Sequence, residues 1–314
     1  MLNTLNHSIW TEVDNQIAKD ANWILNQCPY KFYHDKQDMM IPCGKCVMCK
    51  RKDKNRLVSR LTLESKVAVS SWFVTLTYNA ENLPIKNGVP SLNQHDVTKF
   101  IKRIRNYLNG VGKAGAYKID KEQKQIHDNL KSQGKPFKYF LAAEYGDVYQ
   151  RPHYHLILFN LHHSMKIPIT RLWGKGKIDW ELPRNPQSTI QYSASYMIKP
   201  SNYTYGADKP FRLMSKNLGL DFLKKFPGIM KEGLIKMPDV QFRPPDTWQN
   251  YMYSEKQLLE IREKTKEKQI ETYNAQYDAL AKLGVEPTHM MEGMRRLKEA
   301  RVKRQIERGK SSKM

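Results

Sequence analysis

"RPHYHLILF", Arg151–Phe159, sets two histidines two residues apart at the head of a run that otherwise reads as a buried strand. Side chains alternate between faces in extended backbone, so His153 and His155 share one side of the strand and Tyr154 takes the other. Just upstream, "KYFLAAEYG", Lys138–Gly146, reads as a second strand. The short polar connection between the two predicts an antiparallel hairpin. Glu144 then lies near enough in register to reach the face that carries the imidazoles. Two imidazoles and a carboxylate suit a divalent ion such as Mg²⁺ or Mn²⁺ and leave positions open for substrate oxygens. The competing reading is a pair of ordinary half-buried strand histidines. Arg151, just before the strand, is a candidate phosphate contact.

The flanking segments extend this pattern. "SSWFVTLTY", Ser70–Tyr78, alternates Phe73, Thr75 and Thr77 against Trp72, Val74 and Leu76, as an interior strand does. "SLNQ", Ser91–Gln94, has the form of a capping box, and Val97, Phe100, Ile101, Ile104 and Leu108 follow at helical spacing. The outer face of that helix carries Lys99, Lys102, Arg103 and Arg105, of which the last three are candidate DNA contacts. Residues 110–136, rich in Gly, Lys and Gln, read as a loop insertion. "KGKIDWEL", Lys175–Leu182, predicts another strand, and "STIQYSASYMIK", Ser188–Lys199, a helix stopped by Pro200. The order of elements predicts an α+β fold, an antiparallel sheet with flanking helices.

A formal net charge of +22 over 314 residues points to a polyanionic partner. No apolar run reaches the roughly eighteen residues needed to cross a bilayer, and the first residues lack the plan of a signal peptide. Nucleic acid in a cytoplasm is therefore the expected partner, and no membrane is expected. All four cysteines, Cys28, Cys43, Cys46 and Cys49, fall near the start of the chain, three of them in "CGKCVMC". That spacing is too tight for a disulfide framework and suits thiolates converging on a structural Zn²⁺. Reduced thiols without metal and iron–sulfur ligation are the alternatives.

"YSASYMIK" supplies a candidate nucleophile. On a helix Tyr192 and Tyr196 stack on one face about 6 Å apart, and Lys199 shares that face. Core packing would explain two tyrosines at helical spacing, but Gln191, Ser193 and Ser195 leave little apolar face to bury. A phenol titrating near pH 10 needs a cation to favour its phenolate and a metal to polarise the electrophile. Lys199 and the proposed metal are candidates for these roles.

Taken together, "RPHYHLILF", "YSASYMIK", "FVTLTY" and "EYG" resemble the HUH endonucleases, named for histidine, bulky hydrophobe, histidine. With "PCGKCVMCKRKDKNRLVSRL" and "FRLMSKNLGLDFL" added, the set is similar to the replication initiators of small single-stranded DNA bacteriophages, the gokushovirus branch of the Microviridae, over roughly residues 28–225. The resemblance implies an RRM-like core and metal ligands at His153, His155 and Glu144. It further implies nucleophiles at Tyr192 and Tyr196 with Lys199 beside them. The implied activity is rolling-circle initiation, in which one strand is nicked at the origin, a 5′-phosphotyrosine forms and a 3′-hydroxyl is freed for the host polymerase. Single-stranded origin DNA, host polymerase and host helicase are the implied partners, in the host cell cytoplasm. No GxxxxGK[ST] loop occurs, consistent with transesterification, which conserves the phosphodiester bond energy.

The expected organisation is a cysteine-bearing segment over 1–66, the nuclease core over 67–225, a linker over 226–253 and a basic helical arm over 254–314. Ser254 and Gln257 form a plausible cap for that arm, which is either a solvated hairpin or a DNA contact. Two other functions fit the same residues. One is a plasmid initiator, relaxase or transposase of the same chemistry. The other is a non-catalytic single-stranded nucleic-acid-binding protein that stacks bases on Trp72, Tyr78 and Tyr154.

Overall fold

The computed structural model describes residues 28–282 and 295, apart from 29, 36–37, 112–117, 147, 183–189, 191–202 and 238–239. In chain order the elements are β1 (Phe32–His34), β2 (Met39–Ile41), α1 (Val47–Val67), β3 (Ser71–Thr77), β4 (Ile85–Lys86), β5 (Val89–Pro90), α2 (Gln94–Leu108), α3 (Lys121–Ser132), β6 (Lys138–Tyr145), β7 (Pro152–Phe159), α4 (Lys166–Trp173), β8 (Ile178–Glu181) and β9 (Arg212–Met214). They are followed by α5 (Leu220–Lys225), β10 (Met230–Lys231), β11 (Leu234–Met237), β12 (Val240–Phe242), α6 (Asp246–Met252) and α7 (Glu255–Ala281). The chain divides into two compact units, one running from Lys54 to Trp248 and the other gathering the residues up to Asp53 with those from Gln249 onward.

The larger unit is built on a five-stranded antiparallel sheet of order β8-β3-β7-β6-β9. This is the α+β arrangement that the sequence predicts. Each face buries a different cluster. On one face Val74, Leu76, Tyr154, Leu156 and Leu141 pack against Val97, Phe100, Ile101 and Ile104 of α2 and Ile169 and Trp173 of α4. On the other, Phe73, Phe140, Ile157 and Phe159 pack with Leu57, Val58 and Leu61 of α1. Only one end of that second face is apolar. The odd-numbered residues of β7 run His153, His155, Ile157, Phe159, so the face passes from polar to apolar along the strand.

Hydrogen bonds behind the sheet fix the rotation of β7. Tyr154, fully buried, accepts from the backbone N–H of Asn93 at 2.8 Å and lies 3.2 Å from the Tyr78 hydroxyl, which donates to Asp96 at 3.0 Å. With Tyr154 tied down on that side, His153 and His155 must face the other.

Three sequence expectations change in detail. The cap of α2 is Asn93 rather than Ser91, because the Asn93 side chain accepts from the His95 and Asp96 amides while Ser91 Oγ turns to the backbone of Leu92 and Asp208. The stretch 110–136 holds a helix, α3, capped by Asp120. Its sole buried residue is His127, so it carries almost no apolar periodicity to read. The segment 226–253, expected to be a linker, folds as the three-stranded sheet β10-β11-β12 and the short helix α6.

In the smaller unit β1 and β2 form a hairpin with Phe32 opposite Ile41, and α7 begins at the predicted cap, where Gln257 N–H reaches Ser254 Oγ and Ser254 N–H reaches Gln257 Oε1. Lys266 of α7 pairs with Asp38 in the hairpin turn at 2.6 Å. Among the described residues no helix is long and apolar enough to cross a membrane.

Candidate metal and nuclease centre

Register gathers the polar end of the second sheet face into two rows. Across the five strands Asp179, Thr75, His155, Ala142 and Arg212 stand side by side. In the next row Thr77, His153 and Glu144 do the same. The hairpin thus puts Glu144 directly opposite His153, as the spacing of the two strands implied. Its carboxylate leans diagonally, and Glu144 Oε1 lies 2.8 Å from His155 Nε2.

Each imidazole is held by neighbours. His155 Nδ1 lies 3.2 Å from Thr75 Oγ1, and its ring stacks on Phe73 with centroids 5.7 Å apart and planes 5° from parallel. Both ring nitrogens of His155 are therefore engaged, one by a hydroxyl and one by a carboxylate. Burial and the adjacent His155 lower the pKa of His153, against a hydrogen bond to the Arg151 backbone that raises it, so the ring stays neutral and able to ligate. Gly146 lies beneath that ring: a Cβ there would stand 2.9 Å from His153 Cε1 and 3.2 Å from Nδ1. Only glycine lets the imidazole lie where it does.

Two imidazoles with one carboxylate match the donor set of a divalent ion with open positions, and the side chains converge on one face. Among the described residues, however, the four cysteine thiols are the one group of three or more His, Cys, Asp or Glu donors already drawn close enough to hold an ion. Glu144, His153 and His155 would have to contract around an ion, which the 2.8 Å approach of Glu144 to His155 has begun.

Other predicted site residues are placed differently. Arg151 donates from Nη2 to the Tyr78 carbonyl at 2.9 Å, bracing the end of β3. Lys102, Arg103 and Arg105 lie on α2, behind the sheet, on the opposite side from the histidines. Arg103 donates to the Leu172 carbonyl at 3.0 Å and Arg105 sits over the Tyr139 ring. Of the three residues suggested as base-stacking platforms, Tyr78 and Tyr154 are buried in the core and unavailable for that role. Tyr192, Tyr196 and Lys199 lie outside the described residues. Ile190, two residues before Tyr192, is described. It packs in the cluster of Phe73, Phe140, Ile157 and Phe159, on the face that bears the histidines. Thr75, Gly146 and Arg212 escaped the sequence reading. Thr75 had a visible signal, a hydroxyl where the alternation of a mostly buried strand could have placed an apolar residue.

Residues 71–201 match a family model of replication-associated proteins, the ORF2 family. The chain is 35% identical over 123 residues to Replication-associated protein ORF2 of Spiroplasma virus 4, a stretch covering 38% of this chain and 32% of that protein. It is 31% identical over 119 residues to Replication-associated protein VP4 of Bdellovibrio phage phiMH2K, covering 38% and 31%. To Replication-associated protein ORF4 of Chlamydia phage 1 the identity is 28%, covering 38% and 24%. The matches thus span about a third or less of these relatives' lengths. A solved structure of the N-terminal nuclease domain of minute virus of mice non-structural protein-1 aligns with 67% of this chain and 98% of its own, at 10% identity and a TM-score of 0.18, too loose a superposition to bear on the fold. Through residues 71–201 the chain groups with the replication-associated proteins of small phages, in keeping with the resemblance that its motifs carry.

Proposed function

We propose that the protein initiates rolling-circle replication by cutting one DNA strand at an origin and staying joined to it through tyrosine. The observation that carries this reading is the convergence of Glu144, His153 and His155 on the polar end of one sheet face, inside the segment that matches a replication-associated family. These three residues would hold Mg²⁺ or Mn²⁺, which when bound polarises the scissile phosphate. Thr75 and Gly146 position the two rings, and Lys199 favours the phenolate of Tyr192 or Tyr196. In the cut, the phenolic oxygen bonds to phosphorus, the bond from phosphorus to the 3′ oxygen breaks, and that oxygen leaves as a hydroxyl carrying a proton. One phosphodiester replaces another, so no nucleotide cofactor is required. Ile190 supports the assignment, because it brings the chain onto the histidine face just before Tyr192.

Single-stranded oligonucleotides tiled across a candidate origin, incubated with the protein and Mn²⁺, test the reading directly. A covalent protein–DNA adduct on one tile, absent with chelator, is the expected result. No adduct on any tile, with DNA binding intact, would leave a binding protein in its place.

A further inference from the structure

The smaller unit contains a second chemical site, distant in sequence from the histidines. Cys28 precedes the β1–β2 hairpin and Cys43 follows it, while Cys46 and Cys49 flank the start of α1. Their four sulfurs lie within 4.8 Å of one another, with Cys46 Sγ 3.7 Å from Cys28 Sγ and Cys43 Sγ 4.0 Å from Cys49 Sγ. A tetrahedral ion with Zn–S bonds of about 2.3 Å sets its sulfurs about 3.8 Å apart, which these distances match. An iron–sulfur cluster, ligated one thiolate per iron, would hold them farther apart. Backbone N–H groups of Cys43, Cys46 and Cys49 donate at 3.4 Å to the sulfurs of Cys28, Cys43 and Cys46 in turn, the arrangement that stabilises anionic sulfur.

What surrounds the thiols is equally specific. Lys45, Lys50, Arg51 and Lys52 are all exposed. At 100° per residue the last three cover the sides of the helix that Cys49, buried, does not. Beside them the hairpin exposes aromatic rings to solvent, Tyr30 at 44% and Phe32 at 49%. A hairpin this small cannot bury such rings in a core of its own. Cations interleaved with exposed rings are what an unpaired strand requires, phosphates on the cations and bases on the rings. Duplex DNA would use the cations and leave the rings idle.

We propose that Cys28, Cys43, Cys46 and Cys49 bind one Zn²⁺, and that the knuckle so closed binds single-stranded DNA, stacking bases on Tyr30 and Phe32 and holding phosphates with Lys45, Lys50, Arg51 and Lys52. The choice of DNA as ligand rests on the proposed function. The knuckle is a binding site additional to the nuclease centre.

Metal analysis and fluorescence anisotropy on the full chain test both halves. Purified protein should carry one zinc per chain, and so should the variants Tyr30→Ala/Phe32→Ala and Lys50→Ala/Arg51→Ala/Lys52→Ala. On a labelled oligothymidine the aromatic pair should lose about tenfold or more in affinity. The charge variant should lower the slope of log affinity against log salt by about 2, at about 0.7 per cation. A strong zinc chelator should reproduce the loss, and added Zn²⁺ should reverse it. Protein that carries iron or no metal overturns the zinc assignment. Unchanged oligothymidine affinity in both variants, or an equal loss on duplex DNA, overturns the single-strand surface. Neither readout involves strand cutting, so failure to form a tyrosine adduct would remove the proposed nuclease while leaving these results to stand or fall separately.

Discussion

Glu144 Oε1 and His155 Nε2 stand 2.8 Å apart, although the hairpin register sets Glu144 opposite His153 and Ala142 opposite His155. The small Ala142 side chain leaves the room for this diagonal approach, so one carboxylate can serve both imidazoles. Glu144→Gln keeps the shape and removes the charge. Adduct formation in Mn²⁺ should fall by about 100-fold or more in that variant and in His153→Ala/His155→Ala, while DNA affinity changes by less than about threefold, since cationic contacts to phosphate dominate binding. Parallel gel and anisotropy assays check this. Undiminished cutting by the double histidine variant in metal-free buffer would exclude the metal role.

The supports of the two rings should matter nearly as much as the rings. Thr75→Val removes the hydroxyl 3.2 Å from His155 Nδ1, and Gly146→Ala drives a methyl into the ring of His153. Loss of such orienting partners typically costs about 10–100-fold in metal affinity or activity. The Mn²⁺ concentration for half-maximal cutting should rise by that factor in each. Gly228→Ala, where a Cβ would meet nothing within 4 Å, is the control and should leave it unchanged.

The larger unit also contains a buried charge cluster that the sequence did not announce. Lys138 Nζ lies 2.9 Å from Glu64 Oε2 and 2.6 Å from Asp221 Oδ2, and Glu64, 1% exposed, accepts a further hydrogen bond from the Gly219 amide at 2.7 Å. Removing one partner of a buried pair leaves an uncompensated charge, at about 3–5 kcal/mol. Asp221 still faces Lys138 in Glu64→Ala, so a loss near the lower figure is expected. Denaturant unfolding followed by tryptophan fluorescence measures it, and a change under about 1 kcal/mol would show that the cluster does not stabilise the fold.

How legible the molecule was from its sequence depended on how local each signal is. The β6–β7 hairpin and the histidine face could be read because a period of two and a short turn fix register within one stretch of chain. The thiol cluster could be read because "CGKCVMC" is itself a metal-binding spacing. The cations of α2 were misjudged for a physical reason: a helical pattern shows which face is solvated, but not which side of the sheet the helix covers. Arg212 joins the site row through β9, paired with β6 across a long stretch of sequence, and no local pattern marks such a strand. Helix α3 was missed because its residues are almost all solvated, so its stability rests on caps and charge pairs such as Lys124 with Asp128.

The two tyrosines are expected to alternate. A rolling-circle enzyme must cut once to begin and again after one round, when the first tyrosine is still esterified to DNA. A second phenol about one helical turn away can attack the regenerated origin, and the 3′-hydroxyl so released can attack the first ester, closing the circle and freeing the first tyrosine. For both phenols to reach the same phosphorus in line, the metal ligands must stay fixed while helix or DNA shifts by a few ångströms. His153 and His155 meet that demand, because β7 is bonded on both sides by β3 and β6 and pinned from behind by Tyr154. Tyr192→Phe and Tyr196→Phe should each retain single-round cutting of a short substrate and fail at circularisation, and the double variant should form no adduct. Peptide mapping of the adduct decides the matter: attachment outside this pair, or repeated circle production by either single variant, would show that the two tyrosines do not alternate.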